Sequence, residues 1–252
     1  MSRQARLRTA RARIAAIEAG GTPFRGVLPF GDPRVDGVLL GGGLALGRCH
    51  EVVGEGLELE TAAAVAAFVA ALASPLAERG AVVWVMRRDD LYAPGLTGLG
   101  FPGDRLIQVG VREEKQVLAA LEDALGARGI AAAIGETEGI DLTAGRRLQL
   151  ACEKSGATGF LIRRWPFGGC SSNEAAASAT ATRWRVASAP SVPESGQKGL
   201  GPCRWRVILE RCRGGGSGTW TMEKTDGAYP LRVVAELGDR ELETPQYLRF
   251  AS

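Results

Sequence analysis

Apolar and polar positions change their period several times along this chain. Short apolar runs at residues 49–53, 82–86, 106–109, 130–134 and 158–162 predict strands buried on both faces. Between them, residues 61–73, 113–125 and 142–154 repeat at helical spacing. In the second of these, Val117, Leu118, Leu121 and Leu125 form one apolar stripe. Alternation of this kind predicts an α/β fold, with a mainly parallel sheet flanked by helices.

Beyond residue 180 the period becomes two. Residues 182–188, 203–213 and 219–224 read as strands, the first two separated by a Pro-, Gly- and Ser-rich stretch. The Gly-rich residues 214–218 turn the chain, so these strands are expected to form an antiparallel β-meander at one edge of the sheet. At the other end of the chain, Leu7, Ala10, Ile14 and Ile17 recur at helical spacing before a break at Gly20 and Gly21. The expected organisation is therefore a basic helical arm (1–22), a core (23–235) with a flexible loop (189–202), and a mobile tail (236–252).

Composition narrows the function classes. The chain has 252 residues, 45% of them hydrophobic and 23% charged, which is globular rather than disordered. No apolar run approaches about 20 residues without charge, so no membrane span is expected. Five cysteines, odd in number and never in CxxC spacing, fit reduced cytosolic thiols better than a disulfide frame or a zinc site. The single histidine, His50, nearly excludes histidine-based triads and metal clusters. Beside an apolar strand, it reads as a satisfied strand-edge residue.

The net charge of +3 is unevenly spread: the first 25 residues hold six arginines and one acid, Glu18. The tetrapeptide RWRV occurs twice. Trp184 and Val186, then Trp205 and Val207, share one face, which sends Arg183, Arg185, Arg204 and Arg206 to the other. Such arginine-studded, tryptophan-bearing strands are candidate contact devices for a partner or, more weakly, for DNA. The plain alternative is solvated arginines over inward-packed tryptophans. The same weighing applies to "QYLRF" (246–250), a poor match to a sliding-clamp peptide, and to "FVAA" (68–71), which helix packing explains better than oligomerisation.

The stretch HEVVGEGLELETAAAVAAFVAAL (50–72) has the outline of a phosphate-binding strand, loop and helix. A working GxxxxGK[ST] loop uses glycines so that amides wrap phosphate oxygens, a lysine for charge and a hydroxyl for magnesium. Starting the register at Gly54 puts Leu59 at the second glycine, Glu60 at the lysine and Thr61 at the hydroxyl. Glu60 replaces attraction with repulsion, and Glu55 and Glu58 add to it. One charge pair near 4 Å at a partly shielded surface is worth about 4 kcal/mol. Acids suit a helix N-terminus, so they stabilise the helix in the role a phosphate would have had.

Residues 28–55, LPFGDPRVDGVLLGGGLALGRCHEVVGE, resemble the segment that leads into the phosphate loop of RecA-type recombinases. The matching positions are Gly31, Val35, Asp36, Gly41 to Gly43, Leu44, Gly47, Glu51, Val53 and Gly54. Within that group the chain is similar to the ImuA family, through Ile162 to Trp165, residues 182–186 and residues 205–215. The resemblance implies a RecA-like core of P-loop-NTPase type. By the same resemblance, a water-activating glutamate would follow the second strand, where Arg88 stands with Asp89 and Asp90 beside it. A magnesium-supporting aspartate would fall at Gly135, one residue before Glu136. A γ-phosphate-sensing glutamine would fall at Arg163 and Arg164.

These departures lead us to expect a pseudo-ATPase, with no catalytic residue, cofactor or metal. The resemblance implies an accessory factor of the SOS response and translesion DNA synthesis, located in the bacterial cytoplasm and joining the nucleoid when DNA is damaged. It implies contacts with an inactive Y-family polymerase homologue (ImuB), an error-prone DNA polymerase and RecA. Expected contact residues are Arg163, Arg164, Arg183, Arg185, Arg204 and Arg206, with weak direct DNA contact. Leu7, Ile14 and Ile17 would dock the arm on a partner or in a homo-oligomer, because recombinases of this fold dock an N-terminal helix on the neighbouring subunit. The alternatives are a DNA-binding RecA-like module or an active ATPase or recombinase.

Overall fold

The computed structural model describes residues 25–165, 179–193, 199–227 and 229–236. The N-terminal arm with Leu7, Ile14 and Ile17, residues 166–178, residues 194–198 of the loop and the tail from residue 237 lie outside the described residues. A small ribbon comes first: β1 (Val27–Leu28) pairs antiparallel with β2 (Leu44–Ala45), and α1 (Pro33–Asp36) lies between them. Asp36 holds this region together by accepting the amides of Phe30 at 2.9 Å and Gly31 at 3.0 Å. Gly31 sits at φ 75°, where a side chain is disfavoured. Both residues belong to the recombinase-like pattern, and their roles here are structural.

The main sheet contains β3 (Cys49–Gly54), β4 (Ala81–Met86), β5 (Leu106–Gly110), β6 (Ile130–Thr137) and β7 (Thr158–Arg163). It continues with β8 (Thr182–Ala189), β9 (Arg204–Cys212), β10 (Gly218–Lys224) and β11 (Leu231–Glu236). The spatial order is β11-β10-β9-β8-β3-β7-β6-β4-β5. Strands β8 to β5 in that order run parallel, and β9, β10 and β11 run antiparallel at one edge. The fold is α/β with a mixed, mostly parallel sheet, as the changing period predicts. The meander has one strand more than predicted, because β11 lies where no alternation was recognised.

Helix α2 (Glu58–Ala77) covers one face of the sheet, while α4 (Glu114–Gly126) and α5 (Leu142–Ser155) cover the other. Short α3 (Ala93–Thr97) lies beside α2. The alternation of each strand is divided between the two layers. Val82, Trp84 and Met86 of β4, Ala132 and Ile134 of β6, and Phe160 and Ile162 of β7 face α2. Val83, Val85, Ala133 and Leu161 face α4 and α5. Helix ends are set locally: Asp141 accepts the Ala144 amide at 2.7 Å, and Gly156 closes α5 at φ 89°.

Two expectations need correction. Trp184 and Trp205 are not a contact surface: they pack inward, as the plain alternative has it, and with Trp220 they are among the largest side chains of the core beneath α2, each 2% exposed or less. Phe68 of α2 lies 6.3 Å from Trp184 and 6.1 Å from Trp205, and Trp205 Nε1 donates to the Ala64 carbonyl at 3.0 Å. His50 is not at a strand edge but in central β3, fully buried. It bonds Thr182 Oγ1 at 2.7 Å and the Ala45 carbonyl at 2.8 Å. By length and composition α2 could cross a membrane, with 20 residues at a mean hydropathy of 1.7. Its apolar side packs on the sheet, and Phe68 to Ala71 are buried there.

Candidate functional site

The candidate site lies where β3 turns into α2. The helix starts at Glu58, three residues earlier than the spacing predicts, leaving only Glu55, Gly56 and Leu57 between strand and helix. Leu59 and Glu60 therefore lie on the first helical turn and are exposed, Leu59 to 96%. The amides of Glu60 and Thr61 bond the Leu57 carbonyl at 3.0 and 3.2 Å. The Thr61 hydroxyl donates to the same carbonyl at 3.0 Å. A Cβ on Gly54 would overlap that hydroxyl, so strand and helix are in direct contact where a wider loop would wrap a ligand.

A guanidinium lies beside this turn, at one wall of a cleft of about 780 Å³. Arg164 Nε donates to Glu58 Oε1 at 2.7 Å, and Nη1 donates to Glu136 Oε2 at 2.7 Å. Asp90 takes both Nη groups, at 3.0 and 2.9 Å. The Arg164 side chain is 8% exposed and that of Glu136 only 2%. Trp84 Nε1 donates to Glu136 Oε1 at 2.8 Å, and the Trp165 amide reaches Glu58 Oε2 at 3.3 Å. Burial raises the Glu136 pKa, partly opposed by the charge of Arg164. The hydrogen bond from Arg164 holds Asp90 below its usual value. Burial works against the charge on Arg164, but the Asp90 hydrogen bond and the Glu136 charge outweigh it and hold the group firmly protonated.

Strand parity explains how this cluster assembles. Phe160 and Ile162 face α2, so Arg164, two residues on, faces it too. Arg163 points to the opposite layer, where Nη1 meets Glu51 Oε1 at 3.2 Å and the guanidinium lies 5.7 Å from the Trp165 ring centroid. The pair expected to act together is split between two faces. Glu136 follows the parity of Ala132 and Ile134, whereas Gly135 faces Leu121 of α4. The acid facing this site on β6 is thus Glu136, so placing the position at Gly135 needs correction. After β4 the acid in the site is Asp90, not Arg88, whose side chain is 56% exposed and lies 3.6 Å from Asp90.

The four arginines of β8 and β9, strands that lie inside the sheet and not at its edge, each meet a carboxylate. Arg183 and Arg185 share Glu210 at 3.1 and 2.6 Å, Arg204 pairs with Glu223 at 2.5 Å, and Arg206 pairs with Glu55. Glu223 also takes Arg232 at 2.5 Å. Sequence reasoning placed Asp90, Glu136 and Arg164 within two residues of the positions it assigned, but it missed that they bind one another. Glu58 was seen only as added negative charge.

The turn as built does not fit a triphosphate. It has three residues, two acids at the helix start and an arginine already bound by three carboxylates. No protein-family model matches this chain. It is 53% identical over 234 residues to Protein ImuA of Caulobacter vibrioides strain NA1000 / CB15N, an alignment spanning 90% of this chain and 96% of that relative. Protein ImuA of Caulobacter vibrioides strain ATCC 19089 / CIP 103742 / CB 15 is similar to the same extent.

Proposed function

The chain belongs to the ImuA family, and on that premise we propose that it is a non-catalytic, RecA-like accessory factor in damage-inducible mutagenesis. The observation that carries the non-catalytic part is the Arg164 cluster. Its guanidinium is already bound to Glu58, Asp90 and Glu136 at the helix start where phosphates would be held. Removing one partner of such a buried pair leaves charge unpaired in a low-dielectric site, so a ligand would have to offset several kcal/mol before binding. The parallel strands, with a turn and helix leaving central β3, support a RecA-like core.

On this reading the protein works by contact with a Y-family polymerase homologue of ImuB type, an error-prone DNA polymerase and RecA. Arginines of β8 and β9 paired to carboxylates leave less charge for nucleic acid, which favours protein contacts over the DNA-binding alternative. Calorimetry of the full chain with ATP and magnesium is expected to show no binding at micromolar concentration. Low-micromolar binding would overturn the pseudo-ATPase reading. Co-purification from damaged cells is expected to recover the polymerase homologue, and recovery of none of the three partners would overturn the accessory role.

A further inference from the structure

Two cysteines meet in the layer of the core that lies across the sheet from the Arg164 cluster. Cys49 opens β3 and Cys152 sits on the last turn of α5, and both are fully buried. Gly159 of β7 is the register partner of Cys49. The point where a Gly159 Cβ would stand is 3.1 Å from the Cys152 sulfur and 3.4 Å from the Cys49 sulfur. Gly159 has no positive φ, so the backbone does not require a glycine there. A glycine inside a strand marks a close approach, and here what approaches is a pair of sulfurs.

Polar contacts between α5 and the start of β3 hold the pair in place. The Cys49 amide donates to Gln149 Oε1 at 3.1 Å, and Gln149 Nε2 donates to Glu153 Oε1 at 2.9 Å. Glu153 also pairs with Arg48, the residue before Cys49. Gln149, Cys152 and Glu153 are three and four residues apart, so they share the α5 face turned to β3. The hydrogen bond between the two thiols, and then burial, push the Cys49 thiol well above its ordinary range. At rest the pair is therefore a reduced, protonated part of the core.

We propose that Cys49 and Cys152 form a modification site, at which a peroxide-class oxidant joins them in a disulfide that staples α5 to central β3. One sulfur, as its thiolate, attacks the peroxide O–O bond, giving a sulfenic acid and one water. The second sulfur then attacks the first: the S–O bond breaks, the S–S bond forms, and a second water carries off the hydroxyl and the remaining thiol proton. Two thiols and one hydrogen peroxide thus give one disulfide and two waters. Because the second sulfur is already in contact, it intercepts the sulfenic acid before more peroxide does, and oxidation stops at the disulfide. Burial makes the first step wait for the end of α5 to lift, so the staple closes under sustained oxidant rather than at rest.

Hydrogen peroxide treatment of full-length protein, followed by alkylation and tryptic mapping, tests the site. Cleavage after Arg48, Arg79, Arg147 and Lys154 releases the disulfide as residues 49–79 joined to residues 148–154. That species is expected to exceed every other cysteine pairing at least tenfold, and to vanish with dithiothreitol. Cys203 is exposed and gauges how far accessible thiols have reacted. In the variant Cys170→Ala/Cys203→Ala/Cys212→Ala the oxidised form is expected to melt about 5 °C or more above the reduced form, since a link between residues 49 and 152 restricts the unfolded chain. A pair still reduced once Cys203 is fully oxidised would overturn the proposal. So would linkage of either cysteine mainly to another, or an oxidised variant that melts no higher than its reduced form.

Discussion

Arg164 and Glu136 meet at 2.7 Å from the ends of neighbouring strands β7 and β6, each less than one-tenth exposed at the side chain. Arg164→Ala is expected to cost about 3–5 kcal/mol, because it leaves Glu58, Asp90 and Glu136 facing one another without a cation. Glu136→Gln keeps the shape and is expected to cost less, about 1–3 kcal/mol. Urea unfolding of the two variants checks the order, and equal losses would contradict it.

Glu60→Lys alone is not expected to create ATP binding. The new lysine would extend from an exposed helical turn, while the three-residue loop and the bound Arg164 remain. Calorimetry against magnesium-ATP checks this.

Being the only histidine, His50 gives a single resonance to follow. Burial, aided by the charge of Arg48 and opposed by the Ala45 carbonyl, lowers its pKa to about 4 from the usual 6.5. The unfolded chain therefore binds a proton between pH 6.5 and 4 that the folded chain refuses. The resulting stability is fully present above pH 6.5, and about 3 kcal/mol of it is lost as pH falls to 4. NMR titration is expected to show a midpoint near 4. In His50→Gln, this part of the acid dependence of unfolding is expected to vanish.

Trp205→Ala is expected to destabilise by about 3–5 kcal/mol through the cavity left under α2. Trp205→Phe keeps most of the volume but removes the indole donor to the Ala64 carbonyl, which keeps its helical partner, and is expected to cost about 0.5–1.5 kcal/mol. Thermal unfolding separates the two.

Much of the architecture was legible in the order of residues. Strand and helix periods are local, so β3 to β10 and the long helices α2, α4 and α5 were recognised with ends misplaced by at most four residues, whereas short α1 and α3 were not. That Leu59 and Glu60 stand where a phosphate-binding loop would need a glycine and a lysine was also visible, because a motif is a local statement. β11 was not, since its residues acquire their role only by pairing with β10 in an irregular register.

The site itself was decided in three dimensions. Counting along the chain suggested Gly135 and Arg88, but the face that meets α2 depends on how β4, β6 and β7 lie together, and that face carries Asp90, Glu136 and Arg164. Their mutual recognition spans separations of 28 to 106 residues. No local pattern encodes contacts of that range. Sequence alone determined that this turn lacks the usual phosphate-binding residues. Only packing decided that a buried arginine and three carboxylates would meet beside this turn, because each charge is affordable in the interior only when its partners arrive from other elements.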